Sequence, residues 1–294
     1  MPETYTILCV SEAASPITHM SGSAGNEAII ARAPVMTDRG KLWIPYLSGN
    51  ALRHRCVRDP GVDFLLDLYE LRGKLTLPQL NFLRHGGNLT ESTAHENTAR
   101  IAEMKRTWPL LRLLGGSLPN QILAGSLQVW RGELVCEENR QYLATLGDWL
   151  PTRRLKAAEE FIGNYQYTRG DAAKSGEAQA EEDRESNLMI FAGQQVNRGS
   201  LFVHGFVAPH ASRVELGALL LSLRLWQSRG GTIGGQAARG HGRLAMSLVG
   251  AIDQSCVDEY VEYAISVRDA AIAWLEDCFA KRADKPAKTK KVKA

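Results

Sequence analysis

With 294 residues the chain can bury a full core, enough for one elaborated domain or two modest ones, and its 44% hydrophobic and 23% charged residues are ordinary for a globular protein. No uninterrupted apolar run of about 18 residues exists and no basic-then-apolar leader is visible, so neither a membrane span nor a signal peptide is expected. The formal charge of +3 is unevenly held: residues 281–294 carry +6 and leave the body at −3, so a uniformly basic surface is excluded as an argument for nucleic acid.

Tyr5–Val10 alternates as a short strand that ends before Pro16, and Ser21–Gly25 reads as a Gly/Ser loop. Ile29–Val35 and Lys41–Ile44 are extended pieces around an Asp38-Arg39-Gly40 turn. Ser48 is positioned to cap a helix that should stop at Asp59-Pro60-Gly61. Residues 61–126 read as a helical insert, closed by Gly115-Gly116 and Pro119. Leu127–Cys136 returns to strand alternation and opens a segment, 127–196, expected to form a projecting hairpin. Its tip, 168–187, has no large apolar residue and reads as mobile. Ser200–Ala208 is the strongest strand, Val214–Trp226 a buried helix, and Leu244–Val249 a last strand. A long amphipathic helix at Ser255–Phe279 is expected next, with Ser255 and Asp258 as a capping box, and then a disordered basic tail. Residues 1–60 and 197–254 thus give a split ferredoxin-like core in an α+β chain.

The five cysteines (Cys9, Cys56, Cys136, Cys256, Cys278) are scattered and never spaced CxxC. That favours a reducing, cytoplasmic setting and argues against a disulfide framework or a zinc site. The seven histidines show no HxxH or HExxH pattern, so no metal or cofactor is expected.

Three segments carry chemistry. Arg229–Arg243 holds six glycines in fifteen residues, interleaved with Arg229, Arg239, His241 and Arg243. Such a loop lets a backbone approach a ligand closely, and its amides can form an anion-binding nest. Candidate phosphate contacts are Arg229, Gly231, Thr232, Gly234, Gly235, Arg239, Gly240, His241 and Arg243. A plain helix–strand connector is the bland alternative, but it has no need of the cations. The second segment, Ile44–Arg55, sets Ser48, Gly49 and Asn50 at a helix start with Arg53 and His54 following, an arrangement suited to a phosphate. On its own it reads rather as an ordinary N-cap with a basic solvated face. In the third, Arg154, Tyr165, Tyr167 and Arg169 interleave cations and rings, as single-stranded nucleic acid requires; core aromatics at a loop base are the alternative.

In this order, Ile44-Pro-Tyr-Leu-Ser-Gly-Asn-Ala-Leu-Arg-His-Arg55, Asn197-Arg-Gly-Ser-Leu-Phe-Val-His-Gly-Phe206 and Gly230–Arg243 resemble the RAMP superfamily of CRISPR-associated proteins. The likeness is to Cas-seven-type backbone subunits, and Arg112-Leu-Leu-Gly-Gly116 looks like the type IV effectors. The resemblance implies a modified RNA-recognition-motif core with ferredoxin-like topology and a thumb hairpin reaching the next copy. It also implies that Ser48–Arg53 and the glycine segment hold guide-RNA phosphates. Expected partners are CRISPR guide RNA, complementary target DNA or RNA, further copies of the chain in a filament, and other effector subunits. RNA-cleaving relatives carry an acidic residue before the helix start, whereas Ile29–Met36 has none, so a binding protein without nuclease activity is expected. The alternatives are a guide-processing endoribonuclease using His19 or His241 as acid or base, and a scaffold holding a metabolite phosphate.

Overall fold

The computed structural model describes residues 3–24, 27–38, 40–90, 97–147, 150, 155–169 and 189–280. Arg154, the expected mobile tip from residue 170 onward and the basic tail lie outside the described residues. In chain order the strands are β1 (Glu3–Ala13), β2 (Met20–Ala24), β3 (Glu27–Ile30), β4 (Arg32–Thr37), β5 (Gly40–Leu47), β6 (Gly116–Leu118) and β7 (Gln121–Leu123). They continue with β8 (Gln128–Val129), β9 (Gly132–Leu134), β10 (Ile162–Arg169), β11 (Met189–Val196), β12 (Leu201–Ala211) and β13 (Leu244–Leu248). The helices are α1 (Gly49–Leu52), α2 (Asp59–Leu68), α3 (Leu77–His85), α4 (Thr98–Thr107), α5 (Pro109–Leu114), α6 (Arg140–Ala144), α7 (Arg213–Ser228), α8 (Ser255–Ser266) and α9 (Arg268–Phe279). Two compact units result: 1–60, 127–211 and 220–253 form the first, and 61–126, 212–219 and 254–294 the second.

The first unit is built on a sheet of order β13-β1-β12-β9-β5-β4, with β8 also on β12. β1 buries Ile7, Cys9, Ser11 and Ala13 on one face by simple alternation. β12 is buried continuously from Phe202 to Phe206, as befits a strand covered on both sides. β1 runs antiparallel to both β12 and β13, and α7 returns the chain from β12 to β13. The run β13-β1-β12-β9 is the 4-1-3-2 order of a ferredoxin-like α+β core. The Leu127–Cys136 strand, which the sequence reading set outside the core, supplies its second position as β8 and β9 through pairing with β12. A second sheet of order β10-β11-β3-β2 contains the hairpin arms, which pair antiparallel from Ile162↔Val196 to Arg169↔Met189. Thr168 and Arg169 therefore belong to a strand rather than to the expected tip.

Two expectations in this unit are corrected. Ser21–Gly25 is not a loop through Ala24, because pairing with β3 holds it extended as β2. The helix that begins at Ser48 does not stop at Asp59-Pro60. A π-helical turn at Arg53–Arg58 intervenes, with the Asp59 amide donating to the His54 carbonyl, and α2 then carries on to Leu68. The wider i→i+5 turn makes room for a proline ring that an unbroken α-helix would reject.

In the second unit, Trp108, Trp274, Phe82 and Tyr69 form a buried aromatic cluster. Its polar atoms are satisfied: Trp108 Nε1 donates to Ala271 O at 3.0 Å and the Tyr69 hydroxyl to Ala264 O at 3.1 Å. The expected single helix at Ser255–Phe279 is two, broken at Val267 (φ −102°, ψ 5°). The cap residue is Gln254, and the Ser255 hydroxyl instead accepts from Arg213 Nη2 at 2.9 Å. All five cysteines are free and buried. No helix among the described residues is long and apolar enough to cross a membrane.

Candidate nucleic-acid interface

β5 delivers the chain to Ser48, whose hydroxyl accepts from the Ala51 amide at 3.2 Å and so caps the helix start. The Ser48 amide itself donates to Nε2 of His19 at 3.1 Å. With those groups engaged, the amides of Gly49 and Asn50 have no acceptor among the described residues. Both residues line a hollow of about 310 Å³ with Tyr46, Ser48, Arg53, Val129 and Arg131. Gly49 has to be glycine here, since a Cβ would stand 2.7 Å from the Val129 carbonyl oxygen. Arg53 is half-buried and its pKa is lowered by that burial. His54 turns to Asp59, Nε2 to Oδ1 at 3.3 Å, while Oδ2 of the same carboxylate takes Arg55 Nη1 at 3.2 Å. The Arg53 guanidinium and two open amides thus line one cavity, while His54 is directed at a carboxylate.

Arg131 and Tyr46 were not singled out by the sequence. Tyr46 pairs across the sheet with Glu133, and the Arg131 guanidinium lies over the Tyr46 ring at 5.1 Å while its Nε donates to Glu133 Oε1 at 2.6 Å. The stack and the ion pair fix the guanidinium beside the cavity. His19, which the endoribonuclease alternative would use as an acid or base, packs edge-on against Tyr46 with ring centroids 6.1 Å apart. Burial lowers its pKa, which keeps the acceptor nitrogen unprotonated.

The glycine segment folds back on itself. Ile233 donates to Gly242 O at 2.7 Å and Leu244 to Gly231 O at 2.8 Å, while Gly235 donates to Thr18 O at 2.8 Å and Gly242 to Pro16 O at 2.7 Å. Gly242, at φ +87°, lies so close to Ile233 that a Cβ would meet its carbonyl oxygen at 2.2 Å. Arg239, Gly240 and His241 donate to carbonyls of Gln236, Ala237 and Gln236, and the Arg243 amide donates to the Ser15 hydroxyl. The expected open nest of amides is therefore corrected: most of these N–H groups are consumed by tight local turns and by the 15–18 segment. What the loop presents is side chains, with Arg229, Thr232, Arg239 and Arg243 all exposed.

The hairpin meets this loop through rings. Tyr165 and Tyr167 share one face of β10 and stack at 6.2 Å, and Tyr167 stacks on Phe191 across the pair at 5.3 Å. The Arg239 guanidinium lies 3.9 Å over Tyr167, and His241 packs edge-on to Tyr165 at 5.3 Å. One face of Tyr167 is thus occupied by the loop rather than open to a base. Burial and then the Arg239 charge lower the pKa of His241. The side chain of Arg169 lies outside the described residues.

No family model and no curated protein matches the sequence. The fold has a solved counterpart. A chain of a structure titled "Type IV-B CRISPR Complex" aligns over 85% of this chain and 92% of its own length, at TM-score 0.58 and 18% identity. At that identity the likeness is one of fold.

The three segments read separately in the sequence meet at residues 15–19. Thr18 grips Gly235 through both backbone groups, its hydroxyl donating to Gly235 O at 2.7 Å. His19 caps Ser48, and Ile17 bridges to Val196 at the base of β11. Cations, open amides and aromatic faces on one scaffold suit a flexible polyanion carrying planar bases.

Proposed function

We propose that the chain is a guide-RNA-binding subunit of a CRISPR effector complex, a backbone protein that repeats along the guide and presents it for pairing. The observation that carries this reading is the hollow at Ser48, Gly49, Asn50 and Arg53, with Arg131 beside it and two amides without an acceptor among the described residues. It lies on an α+β core whose solved counterpart is a chain of a type IV-B CRISPR complex. The hairpin at β10 and β11, in this reading, separates bases of the bound strand, and Arg239 and Arg243 hold phosphates next to it. Pairing would then read sequence, while the protein reads backbone geometry. Strand cleavage is not assigned to the chain. The Ile29–Met36 stretch brings no carboxylate of its own, and Glu159, which reaches it, is bound by Arg32 Nη1 at 2.7 Å.

Anisotropy titration of a labelled single-stranded RNA of about 30 nucleotides tests the reading. The wild-type log K against log salt should fall steeply, and joint replacement of Arg53 and Arg131 by alanine should flatten the slope by about 0.7 for each phosphate no longer neutralised. A response that stays flat between about 50 and 200 mM salt overturns phosphate-backbone recognition. Sequencing RNA that co-purifies with the native complex supplies the second arm: short species with a uniform end support a guide, and their absence contradicts it.

A further inference from the structure

Between the hollow and the glycine loop stands a dipeptide that contacts both. Thr18 is fully buried, accepts from the Gly235 amide at 2.8 Å and donates to the Gly235 carbonyl at 2.7 Å. Gly234 adopts φ +75°, and a Cβ there would meet the Thr18 carbonyl oxygen at 2.6 Å, so the loop rests directly on this backbone. The next residue, His19, is fixed at its carbonyl by the Ala31 amide at 2.7 Å and at its ring by the Ser48 amide at 3.1 Å. Its ring also abuts Tyr46, which carries the Arg131 guanidinium on its face. One step of chain therefore joins Gly235 to the Ser48 helix start and, through Tyr46, to Arg131.

We infer that Thr18-His19 is a positioning link that holds the glycine-loop arginines and the Ser48–Arg53 hollow in fixed relation, so that both grip one RNA strand together. The inference rests on the RNA-binding reading above. Two grips on one strand act at high effective concentration only while their spacing matches the strand, and a loosened link forfeits that gain. The link works with a neutral ring, because only an unprotonated Nε2 accepts from the Ser48 amide. The groups facing the ring are Tyr46 from β5, with Arg131 beyond it, and the Ser48 amide; among the described residues no carboxylate pairs with it. Acid therefore breaks the link by placing an N–H opposite an N–H.

The test compares wild type with His19→Ala, His19→Gln and Thr18→Val by RNA anisotropy at pH 7.5 and 5.5, with circular dichroism confirming the fold of each. Gln offers a carbonyl oxygen near the Nε2 position, and Val keeps the shape of Thr while removing the hydroxyl. We expect His19→Ala and Thr18→Val to weaken binding about tenfold at pH 7.5, with His19→Gln within about threefold of wild type. Wild type should lose affinity relative to His19→Gln as the pH is lowered, a comparison that cancels titration of His54 and His241. Hydrogen exchange at Gly235 should rise in His19→Ala and Thr18→Val. If wild type binds RNA and both variants bind equally well with unchanged exchange, the link is refuted and the RNA reading stands. If wild type itself fails to bind, the functional reading fails first.

Discussion

Gly49→Ala sets two effects of opposite sign against each other. Gly49 is the first residue of α1, and alanine is the better helix former by up to about 1 kcal/mol, so a free helix would gain from the change. Here the added Cβ stands 2.7 Å from the Val129 carbonyl oxygen and 3.5 Å from its carbon, well inside contact distance for the first. The obstacle is backbone of β8, held in the core sheet by pairing with β12, and cannot rotate away as a side chain would. Overpacking of this kind costs about 1–3 kcal/mol, which set against the full propensity gain leaves the variant about 0–2 kcal/mol less stable, with the middle of the range near 1. For a chain of this size that corresponds to a melting point lower by a few degrees, about 2–4 °C per kcal/mol. For stability alone Asn50→Ala is the control: the same helix turn and an exposed side chain, though one that lines the hollow. Relief of the overlap pushes the helix start from β8 and carries Arg53 with it, so RNA affinity should fall together with stability. Differential scanning calorimetry and RNA anisotropy on the same preparations decide the matter. A Gly49→Ala protein that melts at or above wild type and binds RNA unchanged would refute the close approach and the site built on it.

Four further outcomes are expected. Ser11 Oγ and His204 Nε2 are 2.8 Å apart and both residues are fully buried, so Ser11→Ala should cost about 1–3 kcal/mol in urea unfolding. Burial also lowers the His204 pKa to about 4; since the folded value lies below the ordinary 6.5, stability is full above pH 6.5 and is lost as pH falls toward 4. Thermal melts should show that decline, and His204→Gln should flatten it. In the second unit Glu215 accepts from Arg112 Nη1 at 2.6 Å and from the Ser212 amide at 2.7 Å, starting α7. With Glu215 buried and Arg112 partly exposed, Glu215→Ala should cost about 2–4 kcal/mol, read as a lower urea midpoint, and Glu215→Gln less. Finally, Glu133 draws on the Arg131 charge beside the hollow, so Glu133→Gln should tighten RNA binding up to about fivefold, measured by anisotropy at low salt; weaker binding would show that the ion pair only positions Arg131.

The parts that were legible in the sequence share a local cause. β1, β12, α7 and β13 announce themselves by alternation or by a nearly unbroken apolar run, and the Ser48 cap by its place before a helical pattern. The glycine segment was visible because glycine and arginine in such density need explaining. What stayed hidden depends on partners distant in sequence. Ser21–Ala24 has weak strand character and is extended only because β3 lies beside it. Pro60 is a helix breaker by every local rule, and only the π turn before it lets the helix pass. Nothing near Val267 contains glycine or proline, so the break between α8 and α9 left no local sign. Arg131 and Tyr46 come together because β5 pairs with β9, a register that neither segment states alone. His19, a lone histidine after a proline, gave no hint that its ring would close the cap of a helix 29 residues on. The same blindness produced the amide nest: glycine content reveals backbone freedom, but not whether a neighbouring strand will absorb the freed donors.

The charge balance turns on the same distinction between amount and placement. A body at −3 is an unpromising polyanion binder if charge is averaged over its surface. At physiological ionic strength, however, an exposed charge is felt over roughly 8 Å, so only its immediate surroundings count. In the first unit several carboxylates are held in ion pairs: Glu159 with Arg32, Asp59 with Arg55 and His54, Glu137 with Arg140, Glu133 with Arg131. Arg239 is held instead by neutral groups, the Gln236 side chain and the Tyr167 ring, and Arg243 has no carboxylate partner among the described residues. Where the loop meets the hairpin, neither arginine is thus neutralised by an ion pair among the described residues. A cation parked on an aromatic face is also already oriented and gives up little on moving to a phosphate, since a neutral ring competes weakly with a full anion. The glycine loop, closed by its own hydrogen bonds, is thus less a cradle than a mount on which Arg239 and Arg243 stand exposed.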